Sequence, residues 1–271
     1  MTGFDAKAYW ESRLRDHDGL DGVGFLRLGR CYNAWLYRVR RQVFLRRLRP
    51  FQAALRHADV LDVGSGTGFY LDRWRELGVR SVTGSDLTEV ATTRLRRRYP
   101  DCQIHQLDIG GSVAPLQGRQ FGAISAVDVL FHIVDDARFE QAVRNLHRLL
   151  EPGGLLVFSD NLVHRPTTSP AHQANRTLRQ VQQVLGACGF QVLQRRPMFV
   201  LMNGAPDARG PLAQWLWLAI AGAVSLGEPV GWLLGALLYP LELLLVGLKR
   251  ESQSTELVIC RRDPAGGQLA R

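Results

Sequence analysis

The stretch best equipped to hold a ligand is Val60-Leu61-Asp62-Val63-Gly64-Ser65-Gly66-Thr67-Gly68. A short apolar run ends there in an acid and three alternating glycines. Glycine takes backbone conformations closed to other residues and lets a ligand come close to the main chain. The spacing is GxGxG and position 69 is Phe, so the third glycine of a pyrophosphate-binding GxGxxG turn is missing. That speaks against a nicotinamide dinucleotide and against an oxidoreductase. An acid just before the turn suits a ligand with an ammonium group, and Asp62 is that acid. Two more acids close later apolar segments: Asp86, 18 residues past Gly68, and Asp108 in Gln106-Leu107-Asp108-Ile109.

Such a turn needs a strand before it and a helix after it. Residues 58–63 read as a buried strand and the following residues, to about 77, as a helix. Further strands are predicted at 81–85, 103–107, 121–127 and 155–159, with helices at 89–99 and 137–150. This alternation implies an α/β fold: a parallel sheet with helices on both faces. A polar loop at 160–175 precedes a helix at 178–188, a strand at 190–193, an apolar stretch at 211–248 and a last strand at 255–260. Ahead of the core, 5–16 reads as a short helix carrying Tyr9 and Trp10, and 30–49 as a longer one closed by Pro50. The expected organisation is a basic N-terminal helical cap (1–55), a ligand-binding core (56–210), an apolar helical insert (211–250), and the last strand with a tail (251–271).

A hydrophobic content of 46% with 22% charged residues is that of a packed globular protein. The four cysteines, Cys31, Cys102, Cys188 and Cys260, form no CxxC pair and read as reduced residues. No charged segment followed by an apolar stretch opens the sequence, so a cytoplasmic protein is expected.

The acid-x-GxGxG strand-turn resembles the class I S-adenosylmethionine-dependent methyltransferases, small-molecule type. Asp86, Asp108 and the run Leu150-Glu151-Pro152-Gly153-Gly154-Leu155 follow in the family's order. The resemblance covers roughly residues 55–160 well and the flanks loosely. It implies a Rossmann-like class I methyltransferase fold, with a mostly parallel seven-stranded sheet, and S-adenosylmethionine as cofactor. It also implies that Asp62, Gly64, Ser65, Gly66 and Gly68 meet the cofactor's amino-acid end. Asp86 would accept hydrogen bonds from both ribose hydroxyls, and Asp108 would meet the adenine amino group, with Leu87, Ile109 and Val127 completing the set. An N-terminal helix often lies over the cofactor in such enzymes, so the cluster of Tyr9, Trp10 and Arg13 joins the candidates, Arg13 as a partner for the methionine carboxylate. The alternative is a helix simply packed by its aromatics. One departure is Phe121-Gly122, where relatives often have Phe-Asp.

Methyl transfer is an in-line displacement at a sulfonium carbon, so the protein mainly aligns the nucleophile and helps a hydroxyl lose its proton. Candidates belong on the loops after the fourth and fifth strands. His132 is the candidate base by its ordinary pKa, and Asp160 a candidate acceptor for a substrate hydrogen bond. Each also has a structural reading, as scaffold and as a cap. A catechol-type magnesium site would use Asp128, Asp160 and Asn161. Asp128 stands one residue late for that role, a shift that changes face on a strand, so no metal is expected. The Asn/Asp-Pro-Pro-aromatic motif for amino-group methylation is absent, which leaves oxygen or carbon acceptors ahead of nitrogen.

The net charge of +9 is matched by nine arginines, with no acid, between Gly22 and Ala58. They suit a solvated helix face, an anionic acceptor, a carrier protein or acidic lipid, whereas nucleic acid is the weakest partner. In the apolar stretch, a first run of 12 residues is too short to span a membrane, which takes ~20. The second run, of 19, contains Pro240 and Glu242. A helical insert covering the active site is therefore expected, forming an acceptor pocket or a homodimer face, with peripheral membrane contact through 211–248 as the alternative. The whole reads as an enzyme methylating a small or lipophilic acceptor, on oxygen, in natural-product, lipid or glycan biosynthesis. The rival readings are a non-methylating binder of the same cofactor, such as a cyclase or regulatory subunit, and the metal-dependent enzyme.

Overall fold

The computed structural model describes residues 4–264. In chain order the elements are α1 (Ala6–Asp16), α2 (Leu20–Val23), α3 (Gly29–Leu48), α4 (Gln52–Leu55), β1 (Asp59–Val63), α5 (Phe69–Leu77), β2 (Ser81–Asp86), α6 (Glu89–Arg98), β3 (Gln103–Gln106), β4 (Phe121–Ala126), α7 (Asp136–Leu149), β5 (Leu150–Asp160), α8 (Leu178–Ala187), β6 (Phe190–Pro197), α9 (Pro211–Val224), α10 (Glu228–Leu248) and β7 (Glu256–Arg262). The strands form one sheet in the order β3-β2-β1-β4-β5-β7-β6. β1 to β5 pair in parallel, and β7 enters antiparallel between β5 and β6. This is the mostly parallel seven-stranded sheet that the sequence resemblance implied.

Strand side chains alternate between two cores. Val60, Leu155, Val157, Leu257 and Ile259 join Phe44, Leu71 and Trp74 on one face. Leu61, Val63, Leu156, Phe158, Val258 and Cys260 join Phe139, Leu146 and Leu185 on the other. α3 and α5 thus cover one side of the sheet, and α7 and α8 the second. Local chemistry sets the helix starts. The Asp135 carboxylate accepts from the Arg138 N–H to open α7, and Thr177 with Gln180 forms a capping box for α8.

Two strands exceed their predicted spans by four residues or more. β5 begins at Leu150, with a register shift opposite Phe121 and Ala123, and β6 runs on to Pro197. β6 is an edge strand, so the polar Gln194, Arg195 and Arg196 can pair with β7 while their side chains reach water or acids. Arg195 bridges Glu251 (2.9 Å) and Glu256 (2.8 Å).

The insert is a helical hairpin, α9 and α10, packed along α3. Gly231 and Gly235 let α10 approach closely: a Cβ at 235 would sit 2.2 Å from the Trp35 ring. Both acids of the hairpin are engaged by backbone N–H groups, Glu228 at the surface and Glu242 in the core. Glu228 accepts from the N–H groups of Arg30 (2.8 Å) and Cys31 (2.7 Å), which satisfies two orphan donors of α3. Glu242 is fully buried and accepts from the N–H groups of Val200 (2.6 Å), Leu201 (2.8 Å) and Met202 (3.0 Å). Removing that carboxylate strands three backbone donors. Glu242→Ala is expected to cost about 3 kcal/mol in urea unfolding, and Glu242→Gln, which keeps one acceptor oxygen, less. Equal stability of the Ala variant and the parent protein would exclude this role.

Candidate functional site

The carboxyl ends of β1, β2 and β4, together with the chain that follows β3, open onto a cavity of about 790 Å³. Its floor is the glycine turn. The Ser65 N–H donates to the Ser85 carbonyl (2.8 Å) and the Gly68 N–H to the Ser65 carbonyl (2.7 Å). Gly64 has φ +70° and Gly66 φ +52°, where a side chain would be strained. A Cβ at Gly64 would also lie 2.4 Å from Val129, and one at Gly66 2.9 Å from Val23. The turn is thus a cradle that a side chain would fill.

Asp86 organises that cradle. One carboxylate oxygen accepts from the Gly66 N–H (2.9 Å), and the other from the N–H (2.9 Å) and hydroxyl (2.8 Å) of Thr88. A carboxylate has about four acceptor sites. Three of them are taken within the protein, by Gly66 and Thr88. Burial raises its pKa, against the three donors. Leu87, Ile109 and Val127 line the cavity beside it, as do Ser65, Gly64 and Gly66. Gly68 opens α5 just behind the turn. Asp108 also lines the cavity, accepting from the Gly110 N–H (3.0 Å) and pairing with Arg138, a lining residue on α7.

Asp62 does not face the ligand space, contrary to the expected ammonium contact. It lies 1% exposed beneath the turn and accepts from the Ser125 hydroxyl, which in turn accepts from the Trp74 indole N–H (2.7 Å). Burial pushes its pKa up to about 7. The residue alternates inward on β1, where only tertiary neighbours reveal what covers it.

The N-terminal helix does form a wall, with Trp10 alone of the expected cluster in it. Lys7, Trp10 and Leu14 of α1 line the cavity, whereas Tyr9 and Arg13 do not. The Arg13 guanidinium donates to the carbonyls of Gly22 (2.7 Å) and Gly24 and to the Tyr9 hydroxyl (3.0 Å). Consecutive residues on a helix differ by 100°, so the neighbouring stripe is the one turned inward. Arg13 instead fixes the chain around Val23, which rests on Gly66. α1 is anchored from outside by Glu11, which accepts from the N–H groups of Glu89 (2.9 Å) and Val90 (3.0 Å) at the start of α6.

His132 lines the cavity and stacks edge-on to Trp10, ring centroids 4.8 Å apart. Its Nδ1 lies 2.8 Å from the His172 carbonyl, which can only accept, so Nδ1 carries the hydrogen and Nε2 the lone pair. Burial pushes its pKa down to about 4. It is therefore neutral at physiological pH, an acceptor rather than a strong base.

Asp160 is absent from the cavity wall. Its buried carboxylate accepts from the Asn161 N–H (2.7 Å), its other oxygen has no partner among the described residues, and burial pushes its pKa up to about 7. Asp128 does reach the cavity, with φ +59°. It pairs with Arg40 (2.7 Å) and accepts from the Ser159 hydroxyl (2.6 Å). No group of three His, Cys, Asp or Glu side chains placed to hold a metal ion occurs among the described residues.

Tyr37 and Tyr70 line the cavity and were not among the sequence-based candidates, whereas Asp128, which also lines it, was weighed there only as a metal ligand. The buried Arg40 behind Asp128 had a detectable signal: it stands one turn from Leu36 and one from Phe44, on the apolar stripe of α3. No residue of 211–248 lines the cavity, so the insert does not cover this site.

A seven-stranded sheet with one antiparallel strand, a glycine cradle after β1 and acids after β2 and β3 together define a nucleoside-binding domain. Residues 60–154 match the family model described as a methyltransferase domain. Residues 60–154 thus form a methyltransferase domain. It is 33% identical over 138 residues to a probable S-adenosylmethionine-dependent methyltransferase of Mycobacterium tuberculosis, covering 51% of this chain and 46% of that protein. It is 30% identical over 122 residues to a tRNA U34 carboxymethyltransferase of Pseudoalteromonas atlantica, covering 43% of this chain and 36% of that protein. The chain thus spans less than half the length of these relatives. In fold it is similar to the N-methyltransferase NodS from Bradyrhizobium japonicum in complex with S-adenosyl-L-homocysteine. That likeness has TM-score 0.56 and 14% identity, covering 96% of this chain and 99% of that one.

Two outcomes test this geometry. Asp86→Ala should weaken S-adenosylhomocysteine binding by at least about tenfold in calorimetry, since it loosens the turn and removes a carboxylate from the cavity wall. His132 should make acid destabilising. The folded protein protonates it only near pH 4 and the unfolded chain near 6.5, so stability rises with pH across that window. His132→Phe is expected to flatten the melting temperature there, and an unchanged slope would contradict the assignment.

Proposed function

We propose that this chain transfers a methyl group from S-adenosylmethionine to an oxygen of a small or lipophilic acceptor. The observation that carries the reading is the convergence of the Gly64–Gly66 cradle, Asp86 and the Asp108 carboxylate on one cavity. The aromatic side chains Trp10, Tyr37 and Tyr70 in the same wall support an acceptor with apolar surface. When bound, the cofactor supplies a methyl carbon on a positively charged sulfur that departs as a neutral thioether.

The chain's own residues orient and shield. Asp86 and the glycine turn hold the nucleoside, and α1 closes over it through Trp10. His132 receives the acceptor's O–H hydrogen bond at Nε2 and aligns the oxygen, taking its proton as the new C–O bond forms. Asp128, neutralised by Arg40, fixes the end of β4. Natural-product, lipid or glycan biosynthesis is the setting this acceptor class suggests. The low basicity of His132 favours one second reading, a binder on the same fold that transfers no methyl group.

Incubation with methyl-labelled S-adenosylmethionine and phenolic, hydroxylated-lipid and glycan acceptors separates the two readings. Label in an acceptor ether or ester is the expected result. Tight cofactor binding with no transfer to any acceptor would leave the binder. With a working acceptor, His132→Ala should lower kcat on the order of a hundredfold with little change in cofactor affinity. Asp160→Asn should leave kcat near the parent value.

A further inference from the structure

The hairpin excluded from the cavity presents a continuous apolar surface to solvent. On α9, Leu212 is 80% exposed and Trp215 69%, with Leu218 beside them. On α10, Leu233, Leu237, Leu241, Leu244 and Leu248 are exposed at spacings of three to four, which forms a single stripe. α10 is long and apolar enough to cross a membrane by length and composition. Its opposite side is taken, however: Gly231, Gly235 and Val246 pack inward, and Glu242 is tied to the backbone of 200–202. That leaves one face for lipid, not a full circumference.

The charge pattern names the occupant. Between 211 and 248 the exposed positions hold a single ionisable residue, Glu228, and its carboxylate is engaged by α3. Around this uncharged face stands a basic rim. The Arg38 guanidinium lies over Trp35 (4.0 Å), itself in contact with Trp232 (6.2 Å between ring centroids). A guanidinium nitrogen of Arg46 lies 3.2 Å from the Cβ position of Gly247, and the exposed Lys249 and Arg250 follow α10. Arg30, Arg40 and Arg41 of α3 have acids of their own, whereas Arg38 and Arg46 have none among the described residues.

We propose that this face docks in the headgroup region of an anionic lipid bilayer. The leucine stripe lies in the plane of the interface, Trp215 and Trp232 sit at headgroup depth, and the rim arginines meet lipid phosphates. A second copy of the chain is a poorer fit, because pairing through the same patch about a two-fold axis brings two arginine rims together. The inference stands apart from the proposed methyl transfer, since no residue of this face lines the cavity.

The full chain is mixed with vesicles of equal parts phosphatidylglycerol and phosphatidylcholine, and separately with phosphatidylcholine alone, then sedimented. Pelleting with the anionic vesicles, loss of pelleting as salt rises, and a blue shift of tryptophan emission are expected. Arg38→Gln and Arg46→Gln should each weaken the apparent affinity about fivefold, the equivalent of about 1 kcal/mol per basic residue. Leu237→Gln with Leu241→Gln should abolish pelleting, with the melting temperature kept as the check on folding. A protein that stays in the supernatant overturns the proposal. So does a dimer by light scattering that ignores both vesicle types, or pelleting unaffected by the leucine substitutions in a folded variant.

Discussion

The Asp86 carboxylate is the joint through which the ligand site is assembled. It ends β2, holds the Gly66 N–H of the turn after β1, and accepts from both the N–H and the hydroxyl of Thr88, which caps α6. A sheet edge offers strand ends that point the same way but are not otherwise tied to one another. One buried acid that accepts from two neighbouring connections converts them into a fixed cradle. The cost of burying that charge is offset in part by its donors, and the residue lines the cavity.

A second buried charge pair performs the same service for the cap. Arg40 carries a full positive charge into the core on α3, and Asp128, at the end of β4, answers it. Asp128 takes a left-handed backbone conformation to do so. Ion pairs of this kind add little net stability, but breaking one leaves an uncompensated charge, so they fix which elements meet. Here they seat the long basic helix against the sheet. α1 is then held by Glu11 at α6 and by Arg13 at the chain around Val23, and the cavity acquires its outer wall.

The fold was largely legible in the sequence because its signals are local. Strand periodicity, the glycine turn and the helix end at Pro50 each depend on a few adjacent residues. The site was legible in part. Gly64, Gly66, Asp86 and Asp108 stand where the turn and the strand ends put them, on the cavity. Asp62, Asp160, Tyr9 and Arg13 share those segments, but their side chains turn elsewhere. A motif fixes where the backbone runs, not which neighbour will claim a carboxylate or a guanidinium.

The sequence by itself therefore determined the order of elements, the two-faced sheet and the place of the nucleoside cradle, since all three follow from short-range pattern. Only the tertiary structure decided which face of α1 closes the cavity, that Arg40 is buried against Asp128, and that the hairpin lies along α3 away from the site. It also decided that Glu228 and Glu242, which in sequence count against an apolar surface, are both engaged by backbone N–H groups, Glu228 at the surface and Glu242 in the core. The physical reason is common to all of these. Each depends on a partner far off in the chain, and the direction of a side chain is set by that partner rather than by its neighbours in sequence.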